Sequence, residues 1–398
     1  MPRITVRLKP GRERSVLNRH PWVFSGAIAD VGGDAGALAV ADVLSANGDW
    51  MASGIFHPSA ELAVRLYSWR PDVAAGPDLL ASRIRDAIAR RTAHIAAHGP
   101  ADADAFRLVF SEADGVSGLI VDRYADVLSI RVHSAAVAAW MNEILAALRE
   151  STGLASVVVA AEPDAVEREG VDAAALAART THAGPVRFRE NGSVFEADLS
   201  AGQKTGFFLD QRDNRRRAAA WAPGRRMLSC YCYTGAFEVP AARAGATEIL
   251  GLDSSEAALA AARRHHEMNA TAVPVDYRKA DVPAALRRFR DEGRTFDLIV
   301  LDPPRFVFSA GQKERGMRAY KDINLFAMKL LTPGGILATY SCSGLVSSDD
   351  FHTVLRWAAV DAGRDVRILE RSGQPFDHPE LATFPESGYL KGIVCEVA

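Results

Sequence analysis

The chain has 398 residues, 48% hydrophobic and 24% charged, more than one core needs, which predicts two or three domains. Lys and Arg total 47 against 49 Asp and Glu, a formal charge of -2, so neither a basic nucleic-acid coat nor an acidic tail protein fits, and any nucleic-acid site must be a local patch. Four cysteines, Cys230, Cys232, Cys342 and Cys395, are too few and too clustered for a disulfide framework. Because Cys230-x-Cys232 lacks metal-finger spacing, they read as reduced thiols of a cytoplasmic protein with no metal site. The N-terminus carries arginines where a signal peptide needs apolar residues, and no window approaches the roughly 18 apolar residues of a membrane helix, so neither secretion nor a membrane span is expected.

From Ile4 to about Trp69, short strands alternate with turns at Gly33, Asn47-Gly48 and His57-Pro58, predicting a small β-rich barrel over residues 1–70. A connecting helix over Asp78 to His98 follows from Leu80, Ile84, Ile88 and Ile95 at helical spacing. Residues 71–200 otherwise read as an α+β region, with a helix over Ala135 to Glu150 and a hairpin signal at Asn191-Gly192. The stretch from Gly202 to Asn214 breaks the periodicity. Beyond Arg226 the rhythm turns to strand, helix, strand, helix with near-continuous apolar strands, the mark of a parallel sheet covered on both faces.

Ligands of such sheets bind where strands end. The first strand runs into Tyr233-Thr234-Gly235-Ala236-Phe237, where Gly235 lets backbone approach a ligand; an ordinary turn is the alternative. Asp253, with Ser254 beside it, ends the second strand 18 residues past Gly235 and suits a ribose diol or a helix cap. Asp281 ends the third strand, placed for an adenine amino group or as a plain loop acid. Asp302-Pro303-Pro304 closes the fourth strand and holds the chain extended there. Cys342 follows the fifth strand, next to Gly344, where a thiol can face the crevice that Asp302 faces; Cys230, Cys232 and Cys395 lie within apolar strands and read as small hydrophobes. No G-x-G-x-x-G occurs in the first turn, so a dinucleotide loses its pyrophosphate cradle, whereas S-adenosylmethionine (SAM), a nucleoside without phosphates, does not need one.

The order YTGAF, LDSS, KAD, LDPPRF and YSCSG, preceded by GQKTGFFLDQRDNRR, resembles the class I SAM-dependent methyltransferases that make 5-methylcytidine in large-subunit ribosomal RNA, the large subunit methyltransferase I type. The resemblance spans essentially the whole chain, since GRERSVLNRHPWVFSGAI is similar to the PUA opening of these proteins. It implies a multidomain fold: a PUA-like RNA-binding barrel over 1–70, a central α+β domain over 71–200 and a C-terminal α/β Rossmann-like methyltransferase domain over 201–398. It also implies that Tyr233, Thr234, Gly235, Ala236 and Phe237 lie against the methionine of the cofactor, with Asp253 and Ser254 at the ribose and Asp281 at the adenine. Gln211 and Arg212 would pass over the methionine end, and Asp302 would sit between cofactor and base. The family is thought to use only the SCS cysteine, here Cys342; Pro303 is followed by Pro304, so the second cysteine of many RNA cytosine-5 methyltransferases is missing.

C5 of cytosine is a poor nucleophile, and a thiolate adding to C6 makes it electron-rich enough to take a methyl group. Two other functions stay open: N-methylation of guanine or adenine through the DPP motif with Cys342 merely packed, and RNA binding on an inactive scaffold. For RNA, Arg12, Arg14 and Arg19 stand in a basic stretch with Arg3, Arg7 and Lys9, and Lys204, Arg305 and Arg315 lie on loops near the crevice. Trp22 and Phe24 are expected to pack the barrel, and His265 and His266 to face different ways. Ribosomal RNA is the expected partner, and a homodimer is left open.

Overall fold

The computed structural model describes residues 1–99, 102–200 and 206–398, and its contacts group into two units. The first comprises residues 1–188, 197–209 and 376–387. It begins with a six-stranded sheet, of which Arg3–Leu8 is paired parallel to Ala39–Leu44 and antiparallel to Ile28–Gly32. Alternation along these strands turns Ile4, Val6 and Leu8 into the core. The same period turns Val23 inward and leaves Phe24 45% exposed, so Phe24 does not pack the barrel as its sequence context suggested. Trp22 is half-buried, covered by Phe384 at 4.6 Å, and its indole N–H donates to Glu112 at 2.9 Å.

The helix Pro77–His98 and a four-stranded sheet, Ala105–Phe110, Leu119–Tyr124, Val127–Val132 and Ser156–Ala161, share the next core. Where one helix was expected over Ala135 to Glu150 there are two, Ala135–Ala139 and Met141–Thr152, because the chain leaves helical geometry at Trp140. The returning segment 376–387 is held by buried polar bonds. Asp377 takes the amide of Arg107 at 2.9 Å on its carboxylate and the Arg91 guanidinium at 2.9 Å on its carbonyl. Arg91 and Arg107 are in turn paired with Asp114 at 2.7 Å and Asp122 at 2.8 Å, so each of these two buried guanidinium groups has a carboxylate partner.

The second unit comprises residues 189–196, 210–375 and 388–398. Its sheet has seven strands: β1 (Arg226–Cys230), β2 (Glu248–Asp253), β3 (Val275–Lys279), β4 (Phe296–Leu301), β5 (Leu331–Ser341), β6 (Val366–Ser372) and β7 (Lys391–Val397). Their order is β3-β2-β1-β4-β5-β7-β6, the first five parallel and β7 antiparallel to both neighbours. Leu298, Ile299, Val300 and Leu301 are fully buried, as a central strand covered on both faces requires, each contributing about 1.5–3 kcal/mol of burial. The order reverses between β1 and β4, and Cys230 is paired with Leu301 and Leu301 with Thr339. That register brings the loops after β1, β4 and β5 to one end of the sheet, the place where ligands of open α/β sheets bind.

Candidate active site

Three residues of the loop after β1 adopt left-handed backbone: Tyr231 (φ 63°), Tyr233 (φ 49°) and Gly235 (φ 77°). For two tyrosines this conformation is strained, at about 1–3 kcal/mol each, and it persists only where surroundings impose it. Here the amide of Cys232 donates to the Leu252 carbonyl at 3.0 Å, that of Tyr233 to Asp253 Oδ2 at 2.9 Å, and that of Gly235 to the Cys232 carbonyl at 2.9 Å. A Cβ on Gly235 would lie 2.8 Å from the Tyr277 hydroxyl and 3.0 Å from Ala262 Cβ. Behind the loop, the buried His265 sets Nδ1 2.7 Å from the Thr234 carbonyl and Nε2 2.9 Å from that of Glu196, and desolvation holds its pKa below the usual imidazole value.

Asp253 ties two loops together, since its other oxygen accepts from the Ser255 amide at 2.9 Å. Ser255, not Asp253, caps the helix Glu256–Met268. Each Asp253 oxygen thus holds one backbone N–H and keeps a lone pair for a hydroxyl. Ser254 beside it is exposed. Asp281 is exposed and caps the helix Val282–Asp291, accepting from the Ala284 amide at 2.9 Å.

Asp302 accepts from Gln211 Nε2 at 2.8 Å, and Gln211 is buried. Cys342 is half-buried, its Sγ 3.8 Å from the Pro303 carbonyl, so the thiol lies against the Asp302-Pro303-Pro304 segment. The loop carrying it is stitched in place: Ser343 Oγ lies 2.8 Å from the Tyr320 hydroxyl, and the Lys391 ammonium donates to the Ser343 carbonyl at 2.7 Å. The other three cysteines are buried, and desolvation pushes their thiols up, Cys395 to about 12. Tyr231 meets Phe306 edge-on at 6.4 Å, joining the loops after β1 and β4.

The structure therefore gathers Tyr233 with Asp253, Gln211 with Asp302, and Cys342 with the Pro303 backbone. Arg212 is fully buried, its Nε 3.6 Å from Asp213, and a ligand carboxylate reaches that guanidinium only by displacing what now covers it. Arg305 and Arg315 are exposed, and Lys204 lies outside the described residues. Arg12, Arg14 and Arg19 are exposed on the first unit, where Arg3 is paired with Asp42 at 2.8 Å and Arg7 with Asp30 at 3.4 Å, so the basic stretch is narrower than its sequence suggests. Sequence reasoning missed Asn214 and Glu238, and it placed His265 only as a helix residue facing away from His266; Glu238 is fully buried just after the β1 loop, and desolvation raises its carboxyl to about 7. Among the described residues no group of three or more His, Cys, Asp or Glu is placed to hold a metal, and no helix is long and apolar enough to cross a membrane.

The family described as S-adenosylmethionine-dependent methyltransferase matches residues 178–392, and the family described as PUA-like domain matches residues 6–69. Ribosomal RNA large subunit methyltransferase I of Shewanella frigidimarina is 42% identical to the chain over 99% of each. The chain belongs to the ribosomal RNA large subunit methyltransferase I family. It is a SAM-dependent methyltransferase with a PUA-like N-terminal domain. A solved structure from Streptococcus mutans assigned to the SAM-dependent methyltransferases shares the fold at a TM-score of 0.82 and 21% identity, covering 99% of this chain and 100% of that one. Another, assigned as a methyltransferase and complexed with SAH, gives 0.82 and 20% over the whole of both chains.

The residues around the methyltransferase's β1 loop fit this cofactor. Asp253 has the two spare acceptor positions that a ribose diol fills, and the hydroxyls of Tyr231 and Thr234 are buried without a hydrogen-bond partner among the described residues. Gly235→Ala is expected to weaken SAH binding about tenfold or more, because the new Cβ strains the left-handed turn and presses on Tyr277. Isothermal titration of the variant with SAH checks this.

Proposed function

We propose that the chain methylates C5 of a cytidine in large-subunit ribosomal RNA, in the cytoplasm where that RNA is, with Cys342 as nucleophile. The observation that carries this reading is the position of Cys342, half-buried against the Pro303 carbonyl while the three other cysteines are buried within the sheet and its first loop. The naming of full-length relatives for large-subunit ribosomal RNA supports the substrate class.

In this reading the loop Tyr233 to Phe237 holds the methionine part of SAM, Asp253 and Ser254 the ribose and Asp281 the adenine, with Arg212 at the amino-acid carboxylate. When bound, SAM supplies an electrophilic methyl group. The Cys342 thiolate adds to C6 of an everted cytosine, forming the S–C6 bond and moving the C5–C6 π electrons onto C5. After C5 has taken the methyl group its proton leaves, and the electrons of the C5–H bond re-form the double bond as the thiolate departs. Asp302 accepts a hydrogen bond from the N3/N4 edge of the ring and stabilises the protonated adduct. Arg12, Arg14, Arg19, Lys204 and Arg305 contact phosphates and set the position of the strand without reading its sequence.

The test offers the protein large-subunit RNA transcribed with 5-fluorocytidine together with SAM. Fluorine at C5 leaves no proton to remove, so a covalent protein–RNA complex should accumulate and be absent from Cys342→Ala. A complex persisting in that variant removes Cys342 from the role. Methylated guanine or adenine in the product of unmodified RNA would replace the cytosine assignment by N-methylation.

A further inference from the structure

Gln211, Asn214 and Arg217 follow one another at three-residue spacing, at the start of and along the helix Arg212–Ala219, so their side chains share one face. They form a chain of hydrogen bonds whose direction is set at both ends. Arg217 Nη1 donates to Asn214 Oδ1 at 3.3 Å, and a guanidinium has no acceptor. Asn214 Nδ2 donates to the Gly373 carbonyl at 3.2 Å, and a carbonyl has no donor. The same Nδ2 donates to Gln211 Oε1 at 2.6 Å, which leaves the amide nitrogen of Gln211 to face Asp302 Oδ1 at 2.8 Å. Neither amide can be flipped without setting donor against donor or acceptor against acceptor. Gln211 and Asn214 are both buried, so water does not compensate a broken link.

We propose that Gln211 is a positioning residue that acts through Asp302: the relay from Arg217 through Asn214 and Gln211 fixes the rotamer of Asp302 and commits its Oδ1 to accepting. An Asp302 carboxylate held this way suits a base edge that offers N–H groups. This deepens the reading of Asp302 as the group that meets the target base, and it rests on that reading. It also gives Gln211 a task distinct from gripping the cofactor.

Two nearly isosteric variants of the full-length protein separate positioning from packing. Gln211→Met removes the donor, whereas Gln211→Glu keeps the shape and reverses the polarity by setting a second acceptor against Asp302. If the relay acts as proposed, kcat on a large-subunit rRNA transcript falls about tenfold in Gln211→Met and about a hundredfold in Gln211→Glu, with KM for SAM and the affinity for SAH within about threefold of the wild type. A packing role predicts the opposite order, with the isosteric glutamate milder than methionine, and a cofactor role places the loss in KM for SAM; either result overturns the proposal. Should Gln211→Glu not fold, Asn214→Asp reverses polarity one link earlier while keeping the bond from Arg217. Its kcat should fall about tenfold at unchanged KM for SAM, and wild-type turnover there overturns the relay. Product analysis keeps the two readings apart: methyl on guanine or adenine ends the cytosine assignment, while the order of the two Gln211 variants still decides the relay.

Discussion

Cys342→Ala is expected to lower methyl transfer to rRNA by about 10⁴-fold or more while leaving SAH affinity within about threefold. The size follows from the proposed chemistry: without addition at C6, C5 of a cytosine is too poor a nucleophile to take the methyl group. The proposed ribose and adenine contacts should be untouched, because Cys342 lies beyond β5, against the Pro303 carbonyl, whereas Asp253 and Asp281 stand at the ends of β2 and β3. Folding should change little, since the sulfur is half-buried and the loop around it is held by Ser343, Tyr320 and Lys391. Cys230→Ala and Cys395→Ala serve as controls of the opposite kind. Both remove fully buried sulfur, so each should cost about 1–2 kcal/mol of stability and spare turnover at temperatures where the protein stays folded. Methyl incorporation and a SAH titration on the same preparations check the set. Turnover of Cys342→Ala within about threefold of wild type would mean that methyl goes to an exocyclic or ring nitrogen, where no thiol is needed.

The parts of this site visible in the sequence are those written next to strand ends. Asp253, Asp302 and Cys342 each follow an apolar run that can only be a buried strand, and in a parallel sheet that position already places a residue at the ligand-binding edge. Gly235 is legible as the residue of its turn where backbone can come close, but the left-handed backbone it shares with Tyr231 and Tyr233 is not. The role of Gln211 was not, because its partner Asp302 lies 91 residues away and their meeting depends on how a helix packs, not on any local period. The same holds for the segment 376–387, whose Asp377 binds a backbone amide 270 residues earlier in the chain. Asp253 and Asp281 show a subtler limit. Capping is expected of Asp253 and not of Asp281, whose alternative is a plain loop acid, yet the roles fall the other way round: Ser255 caps the helix after β2, whereas Asp281 itself caps the one after β3. Charge pairing across strands was equally invisible, which is why Arg3 and Arg7 looked like part of a phosphate-binding stretch until Asp42 and Asp30 appeared opposite them.

Glu238→Gln should stabilise the protein at pH 8 and have little effect near pH 4.5. Glu238 is fully buried, and desolvation, outweighing the nearby Ser229 hydroxyl and the Phe237 and Glu238 amides, raises its carboxyl from 4.5 to about 7. The sign follows from proton counting. Below about pH 4.5 the group is protonated in both folded and unfolded chains and contributes no difference. Between about 4.5 and 7 the unfolded chain releases the proton while the folded chain keeps it, so folding becomes progressively less favourable; above 7 the full penalty is in place and the curve flattens. A rise from 4.5 to about 7 corresponds to roughly 3 kcal/mol. Glutamine has nearly the same shape and no proton to lose, so the difference between variant and wild type should grow from near zero to about that size over this window. Urea unfolding of both proteins at pH 4.5 and pH 8 measures it, and a gain equal at the two pH values would mean that Glu238 keeps an ordinary carboxyl. Glu238 directly follows Phe237, the last residue of the loop proposed to hold the cofactor, so the support of that loop is weakest where Glu238 is ionised. In the glutamine variant that loop should hold SAH as tightly at pH 8 as at pH 6, whereas wild-type affinity should fall across the same interval.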